Sequence, residues 1–143
     1  MGVKTNEYLE TNIPGVYAAG DIAEFYDPIL GRQLQIGNWM NAMSQGRTVA
    51  KSMTGERTEF RLVSSYATNV LGLEIIFIGD VDKAAAEKIE LVGSVESGGM
   101  TQVFERGGRV VGAALINRNA DRAPITKAIQ EKQATIDIFG KIE

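Results

Sequence analysis

Between Asn38 and Thr54 the apolar residues Trp39, Ala42, Met43, Gly46, Val49, Ala50 and Met53 recur at i, i+3, i+4 and i+7. That spacing places them on one face and predicts an amphipathic helix. Asn38 suits its N-cap and Gly55 the left-handed position after its end. Before the helix, Ile13-Pro14-Gly15 signals a turn. Val16 to Ala19 then reads as a short, fully buried strand ending at Gly20-Asp21, followed by an irregular stretch from Phe25 to Arg32.

After a polar connector, Thr54 to Thr58, the pattern becomes mostly β. Val63 to Leu71 reads as extended, Gly72 breaks it, and Leu73 to Ile78 reads as a buried strand. Asp82 to Lys88 is a loop or one helical turn, and Ile89 to Val95 is strand-like. Gly107-Gly108, between Thr101–Glu105 and Arg109–Ile116, predicts a tight hairpin, because its favoured turns need positive φ. Asp121 is placed to cap a last helix with Pro124 in its first turn and Ile125, Ala128 and Ile129 as its apolar stripe. Ile136 to Phe139 reads as a short strand or docking segment. The fold class expected is α+β: an antiparallel-sheet domain with flanking helices, preceded by a strand-helix piece of an α/β domain. The division is expected as residues 1–58 and 59–143.

Composition narrows the chemistry. The 143 residues include no Cys and no His. Disulfides, thiol nucleophiles, Cys/His metal sites and Ser-His-Asp catalysis are therefore excluded from this chain. Redox chemistry here has to reside on a bound cofactor or on protein outside these residues. The 15 basic residues are scattered and outnumbered by 18 acidic ones, for a net charge of -3. That pattern does not fit nucleic-acid binding. No apolar run approaches membrane-spanning length, and residues 1–7 hold no signal-peptide core. A cytoplasmic location fits the lack of Cys.

The segment Thr11-Asn12-Ile13-Pro14-Gly15-Val16-Tyr17-Ala18-Ala19-Gly20-Asp21 resembles the second flavin-binding motif of the pyridine nucleotide-disulfide oxidoreductase superfamily. The following helix, with Trp39, Asn41-Ala42 and Gln45-Gly46, resembles the branch containing ferredoxin, rubredoxin and putidaredoxin reductases and apoptosis-inducing factor. Residues 60–143 resemble the small carboxyl-terminal domain of that branch, from Val63–Thr68 and Leu71–Asp80 to Gly108–Arg118.

The resemblance implies FAD as cofactor. Ala18, Ala19 and Gly20 would let the ribityl chain lie close to the backbone, and Asp21 would accept a hydrogen bond from a ribityl hydroxyl. Asn38, Trp39 and Met40 would bring a helix N-terminus, with about half a positive charge, to the pyrimidine edge of the flavin. The Trp39 ring could lie beside the isoalloxazine. Asp27, Arg32 and Gln35 would belong to a variable loop over the flavin, or simply to solvated surface. Tyr66 is the candidate for an aromatic residue near the flavin, with core packing as its alternative.

Neither Gly-rich phosphate fingerprint that such an enzyme needs for FAD and NAD(P)H occurs in the chain. The resemblance therefore implies the carboxyl-terminal part of a reductase that passes electrons from NAD(P)H through FAD to an acceptor. In isolation it would be inactive, without tight FAD binding. No catalytic or metal-ligating side chain is expected in it. The implied partners are the missing FAD and NAD(P)H domains, a second copy in a homodimer and, as electron acceptor, a small electron-carrier protein, a quinone or oxygen. Residues 1–58 are expected to be disordered, rearranged or packed on another copy. The alternative is a stand-alone dimerisation or docking module.

Overall fold

The structure, a computed structural model, describes residues 2–134. The segment Ile136 to Phe139, read as a strand or docking segment, lies outside them. The chain divides into two compact units, one ending at Ser64 and one beginning at Ser65.

The first unit has a three-stranded sheet. Strand β1 (Val3–Thr5) pairs in parallel with β2 (Ala23–Asp27), and β2 pairs antiparallel with β3 (Arg32–Leu34). The stretch from Phe25 to Arg32, expected to be irregular, thus forms most of a hairpin. Asp27 makes its turn: the carboxylate accepts the Ile29 and Leu30 N–H groups at 2.7 and 3.1 Å. Helix α1 (Trp39–Met53) follows as predicted, with Asn38 as its N-cap and Thr54 as its C-cap. Leu9, Phe25, Leu34 and Phe60 form the core, with Leu30, Ile36, Val49 and Leu62 packed against it. Phe25 and Phe60 meet edge to face at 5.2 Å. The expectation of disorder for this region is corrected, because four buried apolar side chains give it a small core.

Two further readings of this unit are corrected. Val16 to Ala19 is not a fully buried strand. It holds one isolated bridge, Glu10 to Tyr17, made by Thr11 N–H to Val16 O and Ala18 N–H to Leu9 O, and Val16 is 45% exposed. A buried strand needs neighbours along its edges, and among the described residues only this one bridge is present. The apolar stripe of α1 faces the core only along one edge: Val49 packs against it and Ala42 and Met43 are half-buried, but the rest of the stripe is exposed. Trp39 is 73% exposed and Met53 67%, whereas Asn41 and Gln45 on another face are fully buried.

The second unit is a five-stranded antiparallel sheet: β4 (Ser65–Val70), β5 (Leu73–Gly79), β6 (Lys88–Ser94), β7 (Gly99–Arg106) and β8 (Arg109–Ile116), in the order β4-β5-β8-β7-β6. The strands predicted between residues 63 and 116 are all present. Gly107 and Gly108 connect β7 to β8 at φ 60° and 68°, a conformation favourable to glycine. Between β5 and β6, Ala85 and Ala86 donate to Asp82 O, making one helical turn.

Directly opposed residues share a sheet face. Ile76, Leu115 and Thr101 form one row, and Ile78, Ala113 and Val103 the next. All six are buried. A short 3₁₀ turn (Asn119–Asp121) leads into α2 (Arg122–Gln130), whose Ile125, Ala128 and Ile129 are buried as predicted. Each such side chain contributes about 1.5–3 kcal/mol when fully buried, less for Ala. Asp121 does not cap α2 with its side chain. Its carboxylate instead accepts Thr101 Oγ1–H and Arg118 Nε–H, both at 2.6 Å, which pins the start of α2 to β7. The other sheet face carries Tyr66, Phe77 and Ala114 in one row and Ile75, Ile116 and Met100 in the next, all partly or well exposed. The described residues are therefore mixed α+β, with an antiparallel five-stranded sheet and two helices.

Candidate functional site

Ala19, Gly20 and Asp21 come together with the N-terminus of α1. Gly20 has φ 80°, which turns the chain sharply. A Cβ on Gly20 would lie 3.7 Å from the Ala42 side chain, so this turn packs against the first turns of the helix. The Asp21 carboxyl group lies beside Gly37, 3.6 Å from where a Cβ would stand there. Asp21 itself is exposed.

Asn38 closes the other side. Its Oδ1 accepts Asn41 N–H at 2.8 Å, and its Nδ2 donates to Ser64 Oγ at 2.9 Å. Trp39 and Met40 are the first two helical residues, whose N–H groups have no acceptor within the helix. No acidic residue occupies the first turn of α1. An exposed acceptor, Asp21, and a helix N-terminus thus stand side by side. Such a pair can bind a ligand with hydroxyl donors at one point and acceptor oxygens or nitrogens at another. The Trp39 ring projects into solvent as a flat apolar surface next to them.

Two side chains hold this arrangement: Gln45, named from the sequence only as part of the helix motif, and Gln35, expected in the variable loop over the flavin or on solvated surface. Gln45 Oε1 accepts Gly20 N–H at 2.7 Å. Gln35 Nε2 donates to Asp21 O at 2.9 Å. A signal for Gln45 exists in the sequence: Asn41, Gln45, Thr48 and Ser52 form a helical stripe that is polar yet uncharged. Such a stripe is suited to burial with hydrogen bonds, whereas the adjacent Arg47 and Lys51 are exposed.

The remaining candidates lie elsewhere. Asp27 is buried in its own hairpin turn, so it is not surface. The Arg32 guanidinium reaches Gln33 O at 3.5 Å. Tyr66, in the second unit, is 48% exposed and stacks on Phe77 with ring centroids 5.0 Å apart, so it is not a core residue. Two open clefts, of about 420 and 360 Å³, involve none of the six predicted site residues. One runs along the outer side of α2 and the other lies near Thr5 and Gln33. No group of His, Cys, Asp or Glu among the described residues could hold a metal ion. No described helix is long and apolar enough to cross a membrane.

Residues 1–46 match the family model described as pyridine nucleotide-disulphide oxidoreductase. The chain is related to the pyridine nucleotide-disulphide oxidoreductases. Among curated reductases of this kind, the nitrite reductase [NAD(P)H] of Bacillus subtilis is 29% identical over 99% of the chain. The ferredoxin–NAD(+) reductase component of the p-cumate 2,3-dioxygenase system of Pseudomonas putida is 26% identical over 93%. The chain spans 17% and 32% of those two reductases. The fold agrees too: the ferredoxin reductase of the CYP199A2 system from Rhodopseudomonas palustris superposes with a TM-score of 0.82 at 20% identity. That superposition covers 99% of this chain and 37% of the reductase.

Proposed function

We propose that the chain is the carboxyl-terminal part of a flavoprotein that passes electrons from NAD(P)H through FAD to an acceptor. The observation that carries the reading is the meeting of the Gly20-Asp21 turn with the N-terminus of α1. Residues 1–58 would be the terminal segment of the FAD-binding domain and residues 59–143 its interface domain. The arrangement fits a flavin. Asp21 offers an exposed carboxylate to a ribityl hydroxyl, and Ala19 and Gly20 leave the backbone accessible. Asn38 keeps the helix end in shape, so that the Trp39 and Met40 N–H groups are free for acceptor atoms. FAD, when bound, supplies the electron transfer. This chain's residues bind and orient it, and the N–H groups and helix dipole favour negative charge beside them.

No Gly-rich phosphate loop for FAD or NAD(P)H is present in these residues, so the isolated chain is inactive and holds FAD weakly. The acceptor is a small electron-carrier protein, as the name of the Pseudomonas putida relative indicates for that protein. The protein works in the cytoplasm as a homodimer. A second reading, a dimerisation or docking module, draws on the exposed apolar stripe of α1 and the open sheet face around Tyr66 and Phe77.

The size of the native polypeptide separates the two. An antibody against this chain should detect a species of about 400–450 residues, the length of three ordinary domains. A species no larger than the 143 residues would overturn the reductase reading in favour of the module.

A further inference from the structure

We infer that Gln45 is a positioning residue for the flavin site, acting through the Gly20 backbone rather than by touching the cofactor. This rests on the flavin reading of the Gly20-Asp21 turn. Gln45 is fully buried on α1, two turns from the helix N-terminus. Its Oε1 takes the Gly20 N–H at 2.7 Å, a contact spanning 25 residues. Gly20 is the residue that turns the chain through a positive φ just before Asp21. Fixing its N–H fixes the direction in which the Asp21 carboxylate leaves the backbone. Gln35 holds the other side of the same turn by donating to Asp21 O. The two amides therefore clamp the turn between them, and only Gln45 does so from inside the fold.

Stability alone does not account for an amide at this position. Gln45 Nε2 is buried with no hydrogen-bond partner among the described residues, and so is Asn41 Oδ1 one helical turn away. Leaving a buried polar atom unsatisfied works against folding. A methionine of similar length would fill the same volume without an orphaned donor. What Met lacks is the acceptor for Gly20 N–H. A side chain that gives up packing energy to hold one backbone group is suited to setting the geometry of that group.

The test uses the full-length native polypeptide, stripped of flavin, as wild type and as Gln45→Met. Three quantities are read: the apoprotein melting temperature, the dissociation constant for FAD from flavin fluorescence quenching, and the hydrogen-exchange rate of the Gly20 amide. For Gln45→Met the melting temperature should stay about level, since loss of the Gly20 bond is offset by removal of the orphaned Nε2 donor. The FAD dissociation constant should increase roughly tenfold, the scale set by one lost hydrogen bond, and Gly20 exchange should accelerate. A lower apoprotein melting temperature, with or without weaker FAD binding, would make Gln45 a packing residue and overturn the inference. So would an unchanged dissociation constant. If Gln45→Met does not fold, the wild-type Gly20 amide decides: slow exchange in the apoprotein supports the clamp, and exchange at the rate of an unstructured chain removes it. Wild-type protein that takes up no FAD while its Gly20 amide is protected would instead overturn the flavin reading on which this inference depends.

Discussion

In the unit from Ser65, residues that the pattern assigns to one side are found on one side and buried: Ile125, Ala128 and Ile129 on α2, and Ile76, Ile78, Ala113 and Leu115 on the sheet. In the unit ending at Ser64, α1 departs from this. Four members of its apolar stripe, Trp39, Gly46, Ala50 and Met53, are exposed while Ala42, Met43 and Val49 are half-buried, and its uncharged polar residues Asn41 and Gln45 are fully buried. The helix begins and ends where its sequence predicts, so local signals are obeyed in both units. The difference lies in what each face meets. Unit two supplies partners for its own apolar residues. Unit one packs Val49 of that helix against its cluster of Leu9, Phe25, Leu34 and Phe60 and leaves Trp39 and Met53 uncovered. An exposed apolar helix face is suited to contact with a further surface.

The largest expected effect tests whether the second unit stands on its own core. Leu115 is fully buried on β8, opposite Ile76 and Thr101. Leu115→Ala should destabilise this unit by about 3 kcal/mol, from lost transfer energy and the cavity left behind. Hydrogen exchange should accelerate across β5, β7 and β8 while amides of α1 keep their rates. Equal acceleration in α1 would show one cooperative fold and dissolve the contrast between the units.

The contrast also explains what the sequence disclosed. The hairpin at Gly107-Gly108 was legible because two glycines between β-rich runs have a local physical cause. Asn38 and Gly55 marked the ends of α1 for the same reason: capping depends on a few neighbouring residues. The strand expected at Val16 to Ala19 failed because a strand depends on residues distant in the chain, and the pattern alone does not say whether those are present. The hairpin of β2 and β3 was missed because its turn is set by a side chain, the Asp27 carboxylate, rather than by a glycine pair. At the candidate site the turn and the helix N-terminus were legible as motifs. The contact from Gln45 to Gly20 was not, since it spans 25 residues.

A middle-sized effect is expected at the end of α1. Asn38 Oδ1 takes the Asn41 N–H, and its Nδ2 reaches Ser64 Oγ. Asn38→Ala should cost about 1 kcal/mol, the usual loss for an N-cap, seen as a lower midpoint in denaturant titration. Asn38→Asp keeps the acceptor for Asn41 N–H and loses only the donor to Ser64, so it should recover most of the loss. If Asp is as damaging as Ala, the bond to Ser64 rather than the cap holds the helix start.

The smallest expected effect is the most discriminating for α1. Trp39 is the single tryptophan of the chain, and it projects from the helix start well exposed. A core tryptophan replaced by a small residue costs about 3–5 kcal/mol. Trp39→Ser should change the stability of this chain by no more than about 0.5 kcal/mol, as surface substitutions do. Binding of a hydrophobic dye should fall, because the ring is a large part of the exposed stripe. On the reductase reading the same substitution should be costly in the full-length protein, where the missing domains would cover the stripe. A large loss already in this chain would mean that Trp39 belongs to the core of the first unit. The orientation of α1, and with it the contrast between the two units, would then have to be abandoned.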